Sequence, residues 1–550
     1  MSTKLKLYLG RKVIDSLHKS TKFSPSQLQP LIQIGNSQEN GHKIELNLPL
    51  NLLETQLGVT NITEILKIKP DDIIKNIHLI KDRANRKISF EIDTKIFMKD
   101  VLENCAQPDL NFKPKNIVVE YSSPNIAKPF HLGHLRSTII GNFISNLNKF
   151  LKNKVTRINY LGDWGTQFGF IKVGVDDLQY TPEVIQKDPL KLLYQSYVHA
   201  NNLADKDPNI LEKAKAEFAK LENGSEEDLK HWRDYMSYTK TELQDTYNRI
   251  GVSFDEYNYE SDYSAKDIQE VVDVLRKKNI VHKDKQGKEV ALINERNITL
   301  VKSDGTTLYL TRDIAAAFDR FKKYKFDRMY YVVENGQNDH FHALKSIIHK
   351  MDMPWSDRLT HVKFGRIRGM STRKGTAVFL KDILDECRDI MIKRQVESPT
   401  TKVPISDDNT ADILGVSCVI INDLKQRRQK DYDFDWDRVL QVRKSHHPSI
   451  FVCCPFPTAF TNTFWKKNSG AVSAPECVPE ILQEPEVVIL LKELAKFHDV
   501  FNHISKALKL LQIKGMSPEV ASQRLLLFVT ARNVLKNGMS ILGITPLNEM

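Results

Sequence analysis

Ile117-Val118-Val119-Glu120-Tyr121-Ser122-Ser123-Pro124-Asn125, followed at Phe130-His131-Leu132-Gly133-His134 by a helical pattern, is the stretch on which the fold turns. The β-branched run Ile117-Val118-Val119 is long enough for a buried strand, and Ser122 to Asn125 has turn chemistry. From about His134, Leu135, Ile139, Phe143 and Leu147 lie on one face of a helix. Val155 to Leu161 reads as the next strand. Strand, turn, helix and strand make the βαβ unit that opens a doubly wound nucleotide fold. The helix start offers free N–H groups and the positive end of the dipole, which favour phosphate. Gly133 removes the side chain where a base or ribose approaches. His131 and His134 can donate to phosphate oxygens, more strongly as charge develops in a transition state. Two ordinary histidines at a helix cap are the plain alternative, and the position after a strand weighs against it.

Further along, Gly369-Met370-Ser371-Thr372-Arg373-Lys374-Gly375-Thr376 follows a strand and joins flexible glycines to two adjacent cations. Such a loop can close on a triphosphate and neutralise charge developing on pyrophosphate. Leu308-Tyr309-Leu310, Met329 to Val333 and Val362 to Ile367 are strand candidates, and Ile314 to Tyr324 a helix. Residues 180–260 are charge-rich and helical in pattern and read as an insertion. From about Ala411 the pattern is helical. Ser517-Pro518-Glu519 sets a Ser cap, a Pro at the first position and an acid in the first turn of a helix. At the other end, Ile88, Phe90 and Ile92 share one strand face within a small α+β domain.

At 550 residues the chain holds roughly three or four domains. Its 80 Lys and Arg against 69 Asp and Glu leave a formal charge of +11, which suits a polyanion such as RNA. No apolar run approaches the roughly 20 residues that span a bilayer, so no membrane partner is expected. The six cysteines form no CxxC pair, which predicts reduced thiols and no zinc site. The first residues carry Lys4, Lys6, Arg11, Lys12, Lys19 and Lys22 against Asp15, and Leu5, Leu9, Val13 and Leu17 fall on one helical face. That is the character of a mitochondrial transit segment, and equally of an ordinary first helix.

Together these motifs resemble a known family. His131-Leu132-Gly133-His134 is similar to the HIGH signature of class I aminoacyl-tRNA synthetases, and Gly369 to Thr376 to their KMSKS loop. Glu120-Tyr121-Ser122-Ser123-Pro124-Asn125, Tyr160-Leu161-Gly162-Asp163-Trp164-Gly165 and Ser303 to Asp313 resemble the arginyl-tRNA synthetases, in particular their fungal and mitochondrial branch. The likeness runs from about 115 to 440 and again from about 480 to the C-terminus. It implies a multidomain α/β chain. Residues 1–110 would be an N-terminal tRNA-binding α+β domain, with a transit segment at about 1–23 as one reading. Residues 111–395 would be a Rossmann-type doubly wound parallel-sheet catalytic domain interrupted by the 180–260 insertion. Residues 396–550 would be an all-α anticodon-binding domain.

The implied activity is that of an arginine–tRNA ligase, acting as a monomer in the mitochondrial matrix, with the cytoplasm as the alternative. L-arginine is activated with ATP and its Mg2+ to arginyl-adenylate and passed to the 3' end of tRNA-Arg. The resemblance places Glu120, Ser123, Pro124, Asn125, His134, Tyr309, Asp313 and Gln337 around arginine. It places His131, Gly133, His134, His340, Met370 and Ser371 around ATP. A guanidinium needs acceptors in a fork geometry, which Asp313 and Glu120 can supply. Acids there also argue against a synthetase for an apolar amino acid.

Two departures stand out. The loop reads Gly-Met-Ser-Thr-Arg where the class has Lys-Met-Ser-Lys-Ser. Lys128, just before the first signature, is the residue the family uses in compensation, beside Arg373 and Lys374. Residues 442–479 hold several prolines and three of the cysteines and lack helical periodicity. They motivate the competing reading, a non-catalytic synthetase-like tRNA-binding protein with an impaired anticodon domain.

Overall fold

The computed structural model describes residues 3–547 except 18–23, 36–42, 60–61, 82–85, 105–112, 126–129, 131, 223–225, 264, 304, 306, 370–378, 398–407, 437–510 and 514. The chain divides into two compact units. One is Lys113–Gln441 with Ile541–Thr545; the other is Met1–Phe112 with Val442–Ser540 and Pro546–Met550.

The first unit is built on five parallel strands. Asn116–Glu120 lies at the centre. Lys154–Leu161 and then Glu256–Tyr259 follow on one side, and Arg328–Tyr331 and then Leu359–His361 on the other. Ile117, Val118 and Val119 are all buried, because a parallel sheet is covered on both faces and its central strand reads as a continuous apolar run. The order of connection reverses at the central strand, so the crevice beyond its carboxyl end is where such folds place ligands. The helix Leu132–Phe150 returns the chain from the central strand to Lys154. It seats against the turn only because residue 141 is glycine: a Cβ there would stand 2.1 Å from Cγ of Tyr121.

Four sequence expectations change here. Leu308-Tyr309-Leu310 is not a strand: the helix Tyr309–Tyr324 starts there. The Leu308 N–H and the Thr311 hydroxyl both donate to the Leu300 carbonyl, at 3.1 and 2.9 Å, which fixes the helix start. Of Val362 to Ile367 only Ile367 is in a strand, the short Ile367–Arg368; the strand before it, Leu359–His361, ends ahead of Val362. Residues 256–259 are the edge strand of the parallel sheet and not part of the insertion, whose last helix is Glu226–Arg249. Residues 408–436, expected in the C-terminal domain, pack in this unit, with Asp408–Leu424 lying along Leu380–Glu397.

In the second unit an antiparallel sheet runs in the order Gln33–Ile34, Ile44–Pro49, Arg86–Ile92, Ile74–Lys81. Ile88, Phe90 and Ile92 are buried, as the alternation predicts. The helix Pro518–Leu542 begins at the Ser-Pro-Glu signal. Its Leu525, Leu527, Phe528 and Ala531 join one hydrophobic core with the sheet and with Leu5, Leu9 and Val13 of the helix Thr3–Ser16. Residues from both ends of the chain, read from sequence as separate domains, therefore share a core. The apolar face of the first helix is buried in that core. Leu9→Ala should therefore cost about 2–5 kcal/mol in urea-induced unfolding of this unit. A loss below about 1 kcal/mol would show that the helix is dispensable to the core.

Candidate active site

The central strand ends at Glu120, and the chain then turns through Ser122 and Ser123 with φ of 71° and 46°. Left-handed backbone in non-glycine residues is strained and clusters at functional sites. Here it is over-determined by hydrogen bonds. The Ser122 N–H donates to Ser137 Oγ at 3.0 Å, and the Ser122 hydroxyl meets Tyr247 Oη at 2.7 Å and accepts from Thr138 Oγ1 at 2.8 Å. The Ser123 N–H donates to Asn159 Oδ1 at 3.0 Å. The Ser123 hydroxyl itself is buried without a hydrogen-bond partner among the described residues, a costly state that a ligand at this turn would relieve. The Pro124 carbonyl accepts from the Gly162 N–H at 3.1 Å, and Asn125 bridges to Gly162. The turn and the Gly162-Asp163-Trp164-Gly165 loop thus form one wall of the crevice.

Glu120 departs from expectation. It is buried and ion-paired with the equally buried Arg320, whose guanidinium lies 4.8 Å from the Tyr160 ring centroid and 5.9 Å from that of Tyr331. Burial pushes the Glu120 carboxyl upward in spite of Arg320, with Asp313 adding to the push. Burial works most strongly against the Arg320 charge, but Glu120 together with Tyr331, Tyr263 and Tyr160 outweighs it, and the guanidinium is held well above its usual range. The sequence offered Glu120 to a ligand; the fold gives its charge to Arg320.

Asp313 stays at the crevice. One turn after the exposed Tyr309, its Oδ2 lies 2.6 Å from Nε2 of His340, in the first turn of the helix Asn338–Lys350. The Tyr309 hydroxyl is 4.0 Å from where a Cβ on Gly165 would stand, so it hangs over the Asp163 loop. Residues expected at arginine and at ATP meet in this Asp313–His340 contact. Gln337 is exposed in the Asn335–Gln337 turn that leads into the same helix. Gly133 and His134 lie in the first turn of Leu132–Phe150, with the His134 ring 5.6 Å from that of Phe130. Lys128, His131, Met370, Ser371, Arg373 and Lys374 lie outside the described residues.

Two acids join the site that sequence reasoning missed. Asp163 is fully buried and accepts from the Ser261 N–H at 3.0 Å and the Ser261 hydroxyl at 2.5 Å. That anchors the turn carrying Glu260. Burial pushes Asp163 up to about 6. Burial also pushes Glu260 up to about 7, with Arg312 opposing and Asp313 and Asp163 reinforcing. Asp163 sat in a quoted motif, but nothing in Tyr259-Glu260-Ser261-Asp262 marks Glu260 as more than a solvated acid. Glu260 thus feels the charges of Asp313 and Asp163 against that of Arg312, an acidic environment suited to a cationic ligand.

Residues 96–436 match the family of class I tRNA synthetases (R), catalytic domain, and residues 470–550 match the DALR anticodon binding domain. The sequence named Probable arginine–tRNA ligase, mitochondrial, of Bos taurus is 38% identical over 515 residues, spanning 88% of each chain. The mitochondrial arginine–tRNA ligase of Saccharomyces cerevisiae is 32% identical over 612 aligned positions, spanning 100% of this chain and 94% of the relative.

The chain belongs to the class I arginyl-tRNA synthetases. It is an aminoacyl-tRNA ligase, specific by family for arginine. The synthetase also shares its fold with the arginyl-tRNA synthetase of Thermus thermophilus, at 17% identity and a TM-score of 0.77, over 99% of this chain and 100% of that one. Most of the stretch read as departing from the family, 442–479, falls between the two matched ranges, and all of it lies outside the described residues.

The raised Glu260 gives the synthetase a pH signature. Without ligand, the folded chain binds more protons at Glu260 than the unfolded chain between its ordinary 4.5 and about 7. Stability from this group therefore falls as pH rises through that window. Urea midpoints across pH 4.5–8 should fall less in Glu260→Gln than in the parent. Parallel profiles would mean that Glu260 titrates normally.

Proposed function

We propose that the crevice beyond Glu120 binds L-arginine and ATP and joins them as arginyl-adenylate, which then reacts with the 3' end of tRNA-Arg. The observation that carries this is Asp313, held by His340 beneath Tyr309 and facing the Asp163–Glu260 wall. Asp313 would accept from the guanidinium, and Glu260 and Asp163 would add field to the same cation. The Ser123 hydroxyl and Asn125, at the strained turn, would hold the α-amino and carboxylate groups. That orientation lets the carboxylate oxygen attack the α-phosphate in line as the bond to pyrophosphate breaks. No side chain need form a covalent bond. The protein positions reactants and stabilises charge.

Gly133 and His134, at the start of a 19-residue helix, would take the triphosphate. Mg2+ would arrive with ATP as part of the substrate. Lys128, His131, Met370, Ser371, Arg373 and Lys374 keep the ATP and charge-neutralising roles that the resemblance gives them, and the resemblance is also the support for a monomer. We read the compartment as the mitochondrial matrix, because relatives over most of the chain are named as mitochondrial. A cytoplasmic pool is the competing outcome for imaging.

Arginine-dependent ATP–pyrophosphate exchange, run with tRNA present, tests these roles. His134→Ala should lower turnover roughly 10²–10³-fold in a folded chain. Asp313→Asn should raise the KM for arginine roughly 10- to 100-fold. Unchanged turnover would remove His134 from the mechanism, and an unchanged arginine KM would move the guanidinium away from Asp313.

A further inference from the structure

The helix that opens with the first signature carries a residue with no part in the chemistry above. Arg136, two residues after His134, is only 1% exposed and heads the fully buried side chains by volume among the described residues. A buried guanidinium is costly unless its donors and its charge are matched, and here carbonyls take hydrogen bonds from both Nη atoms while Asp423 matches the charge. Nη1 donates to the Gly365 carbonyl and, at 3.0 Å, to the Lys430 carbonyl; Nη2 donates to the Arg427 carbonyl at 3.3 Å. Nε lies 3.2 Å from Oδ1 of Asp423, and the guanidinium carbon lies 4.9 Å from the Tyr432 ring centroid. Tyr432 closes the cage by donating its hydroxyl to Asp423 at 2.9 Å.

The acceptors belong to two segments that are laced together. The Gly365 N–H donates to Arg428, Tyr432 to Arg366 and Phe434 to Arg368, at 2.9, 3.0 and 2.8 Å. Ile367–Arg368 pairs in parallel with Tyr432–Asp433. The approach is so close that a Cβ on residue 365 would stand 2.3 Å from the carbonyl carbon of Lys430. This platform runs straight into Gly369, where the second signature begins. We propose that Arg136 is a positioning residue that fixes the platform leading into the second signature to the helix that begins with the first. The start of that helix and Gly369 are thereby held at a set distance. The inference rests on the reading of both signatures as ATP groups. Its physical content is the planar fork: a lysine keeps the charge but cannot reach three carbonyls and a carboxylate at once.

The test uses the full chain with tRNA and the variant Arg136→Lys. Amide exchange in residues 363–368 and 427–433 should speed up about tenfold or more, with residues 116–120 unaffected. In arginine-dependent pyrophosphate exchange, kcat should fall on the order of 10²-fold, as a shift of about 1 Å in a reacting group allows. The arginine KM should stay within about twofold of the parent. Tyr432→Phe removes one hydroxyl from the same cage and should move kcat in the same direction, so the test survives if Arg136→Lys does not fold. Unchanged exchange in both segments overturns the proposal, as does unchanged kcat beside an active parent. An arginine KM that rises in step with the loss of kcat also overturns it, since that marks a general structural role. An inert parent would sink the assignment of the ATP groups instead, and the amide exchange would then decide on the clamp alone.

Discussion

The buried ion pair between Glu120 and Arg320 is the constraint from which the catalytic unit takes its geometry. Glu120 ends the central strand, Tyr160 and Tyr331 come from its two neighbours, and Arg320 comes from the helix Tyr309–Tyr324. A guanidinium and a carboxylate taken out of water tolerate little misalignment, because each left alone is a buried charge. The pair therefore sets the register of that helix against three strands. Arg320 follows Asp313 by seven residues, two turns along the same face. Fixing one end of the helix fixes the other, and so places Asp313 and Tyr309 at the mouth of the crevice. Glu120 acts on the site through this geometry.

The local field is arranged against the global one. The chain as a whole is basic, at +11, which favours approach of an RNA polyanion. The crevice gathers Asp163, Glu260 and Asp313, whose mutual repulsion and burial are relieved by a cation. One charge distribution thus suits both partners: a large anion along the surface and a small cation in the cleft. The strained turn at Ser122–Ser123, whose Ser123 hydroxyl has no hydrogen-bond partner among the described residues, adds a polar group that a ligand would satisfy.

The core of the fold was legible in sequence because its signals are local. Ile117-Val118-Val119, the apolar face from Leu135 onward and the Ser-Pro-Glu helix start each carry their meaning within a few residues. The failures have the opposite character. Leu308-Tyr309-Leu310 reads as a strand by composition and becomes a helix start through hydrogen bonds to Leu300, a partner that sequence does not announce. Glu260 looks like a solvated acid until the edge strand Glu256–Tyr259 carries it to the crevice. Glu120 and Arg320 are 200 residues apart in sequence, and nothing at either position predicts that they neutralise each other. Arg136 stood inside a quoted helix with no signal that its side chain turns inward.

The central claim is that this crevice selects arginine and that the chain passes it to tRNA. It is met most directly by offering the protein total tRNA, ATP and magnesium with each labelled amino acid in turn. The account predicts that arginine alone is incorporated into acid-precipitable tRNA. Charging with a different amino acid, or no charging by folded protein, would contradict it.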